Sequence, residues 1–115
     1  MSFDIDQTAR LAEHSLRGLW TRQNIISENM ANINTPGYKA RRLSFERYLA
    51  SALEGEDTHP LDFVSSSRAS SMRVDGNNVD LEAEMVALTE NSLKYRSVMN
   101  QLQRKMDTLN AIARE

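Results

Sequence analysis

The sequence predicts an all-α chain: two long terminal helices pairing as an antiparallel coiled coil, with a short middle helix and a largely irregular loop segment. Three observations predict it. Apolar residues recur in alternating steps of three and four near both ends of the chain, the a/d spacing of a helical seam. The stretch between them, Gly55 to Asn78, has the composition of a loop. The stretch Asn29 to Ala40 carries Thr35-Pro36-Gly37, which stops one helix and reverses the chain.

The first helix is expected over residues 6–34, with Asp6 or Thr8 as N-cap. Its stripe runs Ala9, Ala12, Leu16, Leu19, Gln23, Ile26, Met30, Ile33. Gln23 interrupts the stripe, and either fixes register or stands partly exposed. Trp20 sits one position off the stripe. It is read as an anchor against another chain, with packing against the middle segment as the alternative. Gly18 costs about 1 kcal/mol against alanine in a helix interior, so it either permits a close approach or is simply tolerated.

Thr35 precedes a proline and is pushed out of the α region, so the helix ends at or before Asn34. Pro36 and Gly37 occupy the middle of a four-residue turn, 35–38. Proline fixes φ near −65° and glycine accepts positive φ, the type II recipe. Asn32 and Asn34 suit a helix end, because asparagine tolerates left-handed φ and can bond free carbonyls.

Lys39, Arg41 and Arg42, with Arg47 nearby, form a basic cluster that reads as a solvated face. Ser44 can cap a short helix over 44–54, with Phe45, Tyr48, Leu49, Ala52 and Leu53 on one face. Residues 55–78 read as loop, with Leu61, Phe63 and Val64 as an apolar cluster and Met72 and Val74 as a possible short strand. A loop this long points to a mobile or partner-bound segment.

The second long helix spans 80–113. Asp80 is its N-cap, and Glu82 and Glu84 place acid where the helix dipole favours it. The stripe runs Leu81, Met85, Leu88, Ser92, Tyr95, Met99, Leu102, Met106, Leu109.

Composition narrows the function. The 115 residues suffice for a single small domain, and net charge −2 gives no general attraction to nucleic acid or anionic membrane. The chain has no cysteine, which excludes disulfides, thiol catalysis and cysteine zinc sites. His14 and His59 fall on different elements, so no metal site is expected. There is no glycine-rich phosphate loop or nucleophile elbow, and neither enzyme activity nor a cofactor is expected. The N-terminal residues lack the features of a cleavable signal peptide, and no apolar run approaches the ~20 residues of a membrane span.

Two motifs remain. Asn29, Ala31, Asn32, Thr35, Pro36, Gly37, Tyr38, Lys39 and Ala40 match N-x-A-N-x-x-T-P-G-Y-K-A, and Gly76-Asn77-Asn78-Val79-Asp80-Leu81-Glu82 matches G-N-x-V-D-L-E. Together they resemble the bacterial flagellar axial proteins of the rod, hook and junction. The short chain and its Tyr-Lys-Ala-Arg-Arg-Leu-Ser-Phe-Glu continuation most resemble the proximal-rod members. The likeness covers both terminal thirds and is weak from about Leu53 to Asp75.

The resemblance implies a rod-type domain and a structural, motility-related role. Subunits would self-associate in a helical array, a tube joining the membrane ring and export gate to the distal rod. The implied partners are other rod subunits, the membrane-ring adaptor and the export gate. The implied location is the periplasmic rod of the basal body, reached by type III export without a cleaved signal. Asn29, Asn32, Thr35, Pro36, Gly37 and Tyr38 would shape the inter-subunit joint, with Asn78, Val79, Asp80 and Leu81 as the second part of the motif. A soluble helical adaptor or export chaperone is the competing reading, since it explains the stripes without polymerisation. A nucleic-acid binder using Arg41, Arg42 and Arg47 is a third, and net charge −2 speaks against it.

Overall fold

A computed structural model describes the backbone of residues 2–66 and 73–114, and the side chains from Gln7 onward. Helix α1 spans Ser2–Ala31, strand β1 Arg41–Leu43, helix α2 Phe45–Leu53, strand β2 Val64–Ser66 and helix α3 Leu81–Ala113, with a 3-10 turn at Pro60–Phe63. The molecule is elongated, 65 × 27 × 16 Å. At 1.5 Å per residue, α3 alone runs about 50 Å.

The terminal helices lie antiparallel. Asn29 near the end of α1 meets Glu84 at the start of α3, and Leu19 and Gln23 meet Asn91. The other side of α1 receives α2, β1 and the 3-10 turn. With neighbours on two sides, α1 buries a wider face than one stripe: Ala12, Ser15, Gly18, Leu19, Ile25, Ile26 and Asn29. Gly18 is where α2 crosses, because a Cβ there would lie 2.8 Å from Phe45 Cε2 and 3.1 Å from Tyr48 Cδ2.

Several expectations are corrected. The first helix begins at Ser2, so neither Asp6 nor Thr8 caps it. No glycine or proline precedes Gly18, so the backbone offers no stop there. At its other end the helix stops at Ala31, and the turns of residues 32–37 follow.

The chain is mostly helical but not all-α. Part of the 55–78 loop folds as the 3-10 turn and as β2, which pairs antiparallel with β1 in the register Arg41↔Ser66, Arg42↔Ser65, Leu43↔Val64. His59 Nδ1 accepts from Leu61 N, and Asp62 Oδ2 accepts from His59 N, a reciprocal cap invisible to hydrophobic patterning. Ser44 stands before α2 without a side-chain cap, and its N–H donates to Phe63 O at 2.9 Å. Of the strand expected at Met72 and Val74, Met72 lies outside the described residues and Val74 lies in a turn.

The inward row of α3 is displaced by one residue from the expected stripe at alternate positions. Leu88, Tyr95, Leu102 and Leu109 are half-buried as expected. The row between them is Glu84, Asn91 and Val98, whereas Met85, Met99 and Met106 are exposed and Leu81 is exposed as well. On α1, Leu19 and Ile26 are buried and Leu16, Gln23, Met30 and Ile33 half-buried, while Ala9 is exposed.

Candidate functional site: a joint between the two sequence motifs

The turn that ends α1 has the expected geometry. Tyr38 N–H donates to Thr35 O at 3.2 Å, and Gly37 has φ +77°. No described residue other than glycine has positive φ, so Asn32 and Asn34 do not act through left-handed backbone. Asn32 uses its side chain. Its Nδ2 donates to Glu28 O at 2.8 Å, and its Oδ1 accepts from Thr35 Oγ1 at 2.9 Å.

Asn29 is fully buried, and its amide is fully bonded. Nδ2 donates to Arg41 O at 2.9 Å and to Glu84 Oε2 at 3.3 Å. Oδ1 accepts from Arg41 N–H at 2.9 Å and from Tyr38 Oη at 3.1 Å. Both backbone groups of Arg41 thus bond to one side chain, which takes the place of a strand neighbour on the edge of β1 away from β2. An amide has two donors and two acceptor lone pairs, and all four are used here.

The second motif closes over the first. Asn77, fully buried, donates through Nδ2 to Asn32 O at 2.9 Å and Thr35 O at 2.7 Å, and its Oδ1 accepts from Val79 N–H at 2.8 Å. Those two carbonyls lie in the turns that follow α1, where they also accept from Thr35 N–H and Tyr38 N–H. Asn78 Oδ1 accepts from Ala40 N–H at 2.6 Å, and Asn78 N–H donates to Tyr38 O at 3.2 Å. Gly37 N–H donates to Asp75 O at 2.8 Å, and Lys39 Nζ donates to Gly76 O. Val79 is buried beside them, and Asp80 caps α3 through Oδ1 and the Ala83 N–H. Two motifs some forty residues apart are therefore the two halves of one joint. Ala31, Thr35, Pro36, Gly37, Asp80 and Leu81 are exposed around it, and Tyr38 is half-buried.

The basic cluster belongs to this joint and is not a free charged face. Arg42 Nη2 lies 2.6 Å from Glu84 Oε1, an ion pair off the ideal hydrogen-bond direction. Arg41 pairs with Glu28, Arg73 donates to Ile33 O, and the Arg47 guanidinium lies 5.8 Å from the Phe63 ring centre. The sequence reads Glu84 only as first-turn acid that suits the helix dipole. It is wholly buried and holds α1 and β1 to the start of α3. Sequence reasoning quotes Asn77 within the motif without giving it a role of its own, and it misses Asn91 and the seam role of Glu84. The signal of Glu84 and Asn91 is polarity on the inward row, which hydrophobic spacing passes over.

Away from the joint, the seam keeps a polar link and an apolar remainder. Asn91 Nδ2 donates to Leu19 O and to Gln23 Oε1, both at 2.9 Å, and Gln23 Nε2 donates to Ser92 Oγ at 3.4 Å. Beyond this, an open groove of about 500 Å³ runs between the first turns of α1 and the last turns of α3, lined by Ala9, Leu11, Ala12, Val98, Leu102 and Leu109 among others. Exposed apolar side chains flank the pair: Trp20 (58%), Leu93 (60%), Val86 (58%) and Met85 (53%). Among the described residues, no helix is long and apolar enough to cross a membrane.

The arrangement ties the two motifs together and leaves apolar surface exposed beside them. The flagella basal body rod protein family matches over residues 19–39, which end within the first half of the joint. The chain is 31% identical to the flagellar basal body rod protein FlgB of Borreliella burgdorferi, covering 84% of this chain and 88% of that one. It is 31% identical to FlgB of Bacillus subtilis, covering 91% and 92%, and 31% identical to FlgB of Salmonella typhimurium, covering 80% and 82%. The chain therefore belongs to the FlgB family of flagellar basal body rod proteins.

Proposed function

We propose that this rod subunit is laid into a helical array through the apolar surface that its own pairing leaves open. The carrying observation is the apolar surface that α3 leaves exposed. Met85, Val86, Leu93, Met99, Met106 and Ile112 are exposed on one long helix, and Trp20 is exposed on α1. Apolar surface of this extent on a single chain marks an interaction site. Contacts between unlike surface patches that do not close into a ring generate a helix or tube. The joint, in this reading, fixes how the helix pair meets the middle segment, and so shapes the contact between neighbours. The partners are other rod components, with the membrane-ring adaptor and the export gate at the proximal end. The subunit reaches the periplasmic rod by type III export without a cleaved signal, and it works as a structural part rather than as an enzyme.

The test is deletion of the gene, followed by imaging of isolated basal bodies. Membrane rings without a rod, with rods restored by the full-length gene, are expected. Normal rods in the deletion strain would overturn the proposal. A stable one-to-one cytosolic complex with a single exported protein would point instead to a chaperone.

A further inference from the structure

We propose that a cleft on the bare face of the helix pair receives Glu90 of a second copy of this chain, and that this contact sets neighbouring subunits side by side. The cleft, about 180 Å³, is lined by Trp20 and Gln23 of α1 and by Ser92, Tyr95 and Arg96 of α3. Trp20 and Arg96 are both exposed. Trp20 lies two residues, about 200°, around α1 from Gly18, where α2 crosses, so the cleft opens on the side that the middle segment leaves uncovered. Tryptophan, tyrosine and arginine are the residues that concentrate binding energy at protein interfaces.

The cleft is rich in hydrogen-bond donors and short of acceptors. Gln23 Oε1 already accepts from Asn91 Nδ2 at 2.9 Å. Ser92 Oγ accepts from Gln23 Nε2 at 3.4 Å, which leaves its O–H to give. The Trp20 indole and the Arg96 guanidinium only donate. Among the described residues, neither has a hydrogen bond or ion pair within the chain. A carboxylate is the group that answers this set, because it only accepts and its charge is opposite to that of Arg96.

The same chain carries such a carboxylate on another side of α3. Glu90 is exposed, and among the described residues it has no hydrogen bond or ion pair. Val86 lies one turn before it and Leu93 one turn after, each more than half exposed. At these spacings the three form one ridge, an acid between two apolar side chains. The ridge complements the cleft: the carboxylate meets Arg96 and Ser92, and Val86 and Leu93 meet the Trp20 and Tyr95 rings. Glu90 and Arg96 are six residues apart on one helix, so they are not surface neighbours and do not pair within a chain. Cleft and ridge are unlike patches, so the contact continues from copy to copy. They stand within about 10 Å of each other along α3, which lays copies side by side with a small axial step rather than end to end. This inference rests on the rod reading for its setting and names the partner and the contact.

The test is charge reversal with rescue. Arg96→Glu and Glu90→Arg are placed singly and together in the complemented deletion strain, and rods are counted on isolated basal bodies. Each reversal alone sets like charges against each other between copies and is expected to abolish rod growth. The two together restore opposite charges with the roles exchanged, and rods are expected to return. A purely internal role for either residue gives no such rescue, because the two do not meet within a chain. Both positions are exposed, so circular dichroism melts of the three isolated variants are expected to stay within a few degrees of the unaltered chain. Normal rods from either single reversal, or no rescue by the pair, overturns the proposal. If a reversal unfolds the chain, Trp20→Ala carries the test: loss of rods is expected, and an unchanged rod count overturns the contact. Rods from the unaltered gene beside silent reversals strike this contact alone, whereas normal rods in the deletion strain itself strike the rod reading.

Discussion

Asn29 holds more of the joint than any apolar residue does. Its amide ties the end of α1 to both backbone groups of Arg41, to Tyr38 and to Glu84. Truncation leaves several buried groups unpaired, at about 1–3 kcal/mol each. Asn29→Ala is expected to cost about 3 kcal/mol or more in urea unfolding, well above the typical ~1 kcal/mol of a point substitution. Gly37 is a different case. A Cβ there would meet nothing within 4 Å, so the whole penalty is its φ of +77°. Gly37→Ala is expected to cost about 1–2 kcal/mol, and Gly37→Asn less, since asparagine visits left-handed backbone more easily. Paired unfolding curves of the two variants check the order. At Tyr48 the cause is burial, which pushes its phenol above the ordinary value, while the positive charge of Arg17 opposes and does not cancel the rise. The folded state therefore favours the neutral phenol. That contribution is complete below the unfolded value near 10, and it is lost as pH rises through the higher folded value. Tyr48→Phe is expected to flatten the alkaline end of a stability-against-pH series.

The elements show how far the sequence could be read. Both long helices, the stop before Pro36 and the Asp80 cap are written in local chemistry: a pre-proline residue, a positive-φ glycine, a carboxylate at an N-cap. The face of α3 is not. Spacing favours Met85, Met99 and Met106 over Glu84, Asn91 and Val98, because methionine is the more apolar row. The chain turns the polar row inward, where α1 offers an amide and a carbonyl to meet it. The small sheet is illegible for another reason. Each strand is three residues long, and β1 is held on its other edge by a side chain twelve positions back. Gly18 joins the helices most closely. An added methyl gains about 1 kcal/mol of helix propensity but presses on the Phe45 and Tyr48 rings, and overpacking costs about 1–3 kcal/mol. Gly18→Val adds a branched side chain at the same crossing. It is expected to lower stability by about 2 kcal/mol or more, with hydrogen exchange accelerating first in α2.

At the scale of the whole molecule, stability and assembly are separable, because different faces of α3 serve them. The inward row and the joint hold the fold. Val86 (58%) and Leu93 (60%), seven residues apart on α3, stand exposed on the side opposite that row. Charge placed on that outer side should leave the fold nearly untouched, since surface substitutions away from buried features usually fall within about 0.5 kcal/mol. The same charge would be desolvated wherever a neighbour covers the side, and an unpaired buried charge costs several kcal/mol. Val86→Lys with Leu93→Lys is therefore expected to keep the melting temperature of the isolated chain within a few degrees while abolishing rod growth in a complemented deletion strain. Asn29→Ala should do the reverse in part, lowering the melting temperature before any loss of assembly from the surviving folded chains. Circular dichroism melts set beside images of basal bodies from the same two strains separate the faces. Normal rods from the double lysine variant would show that the outer side of α3 stays uncovered in the assembled rod, and would move the contact to Trp20 and the apolar groove at the far end of the helix pair.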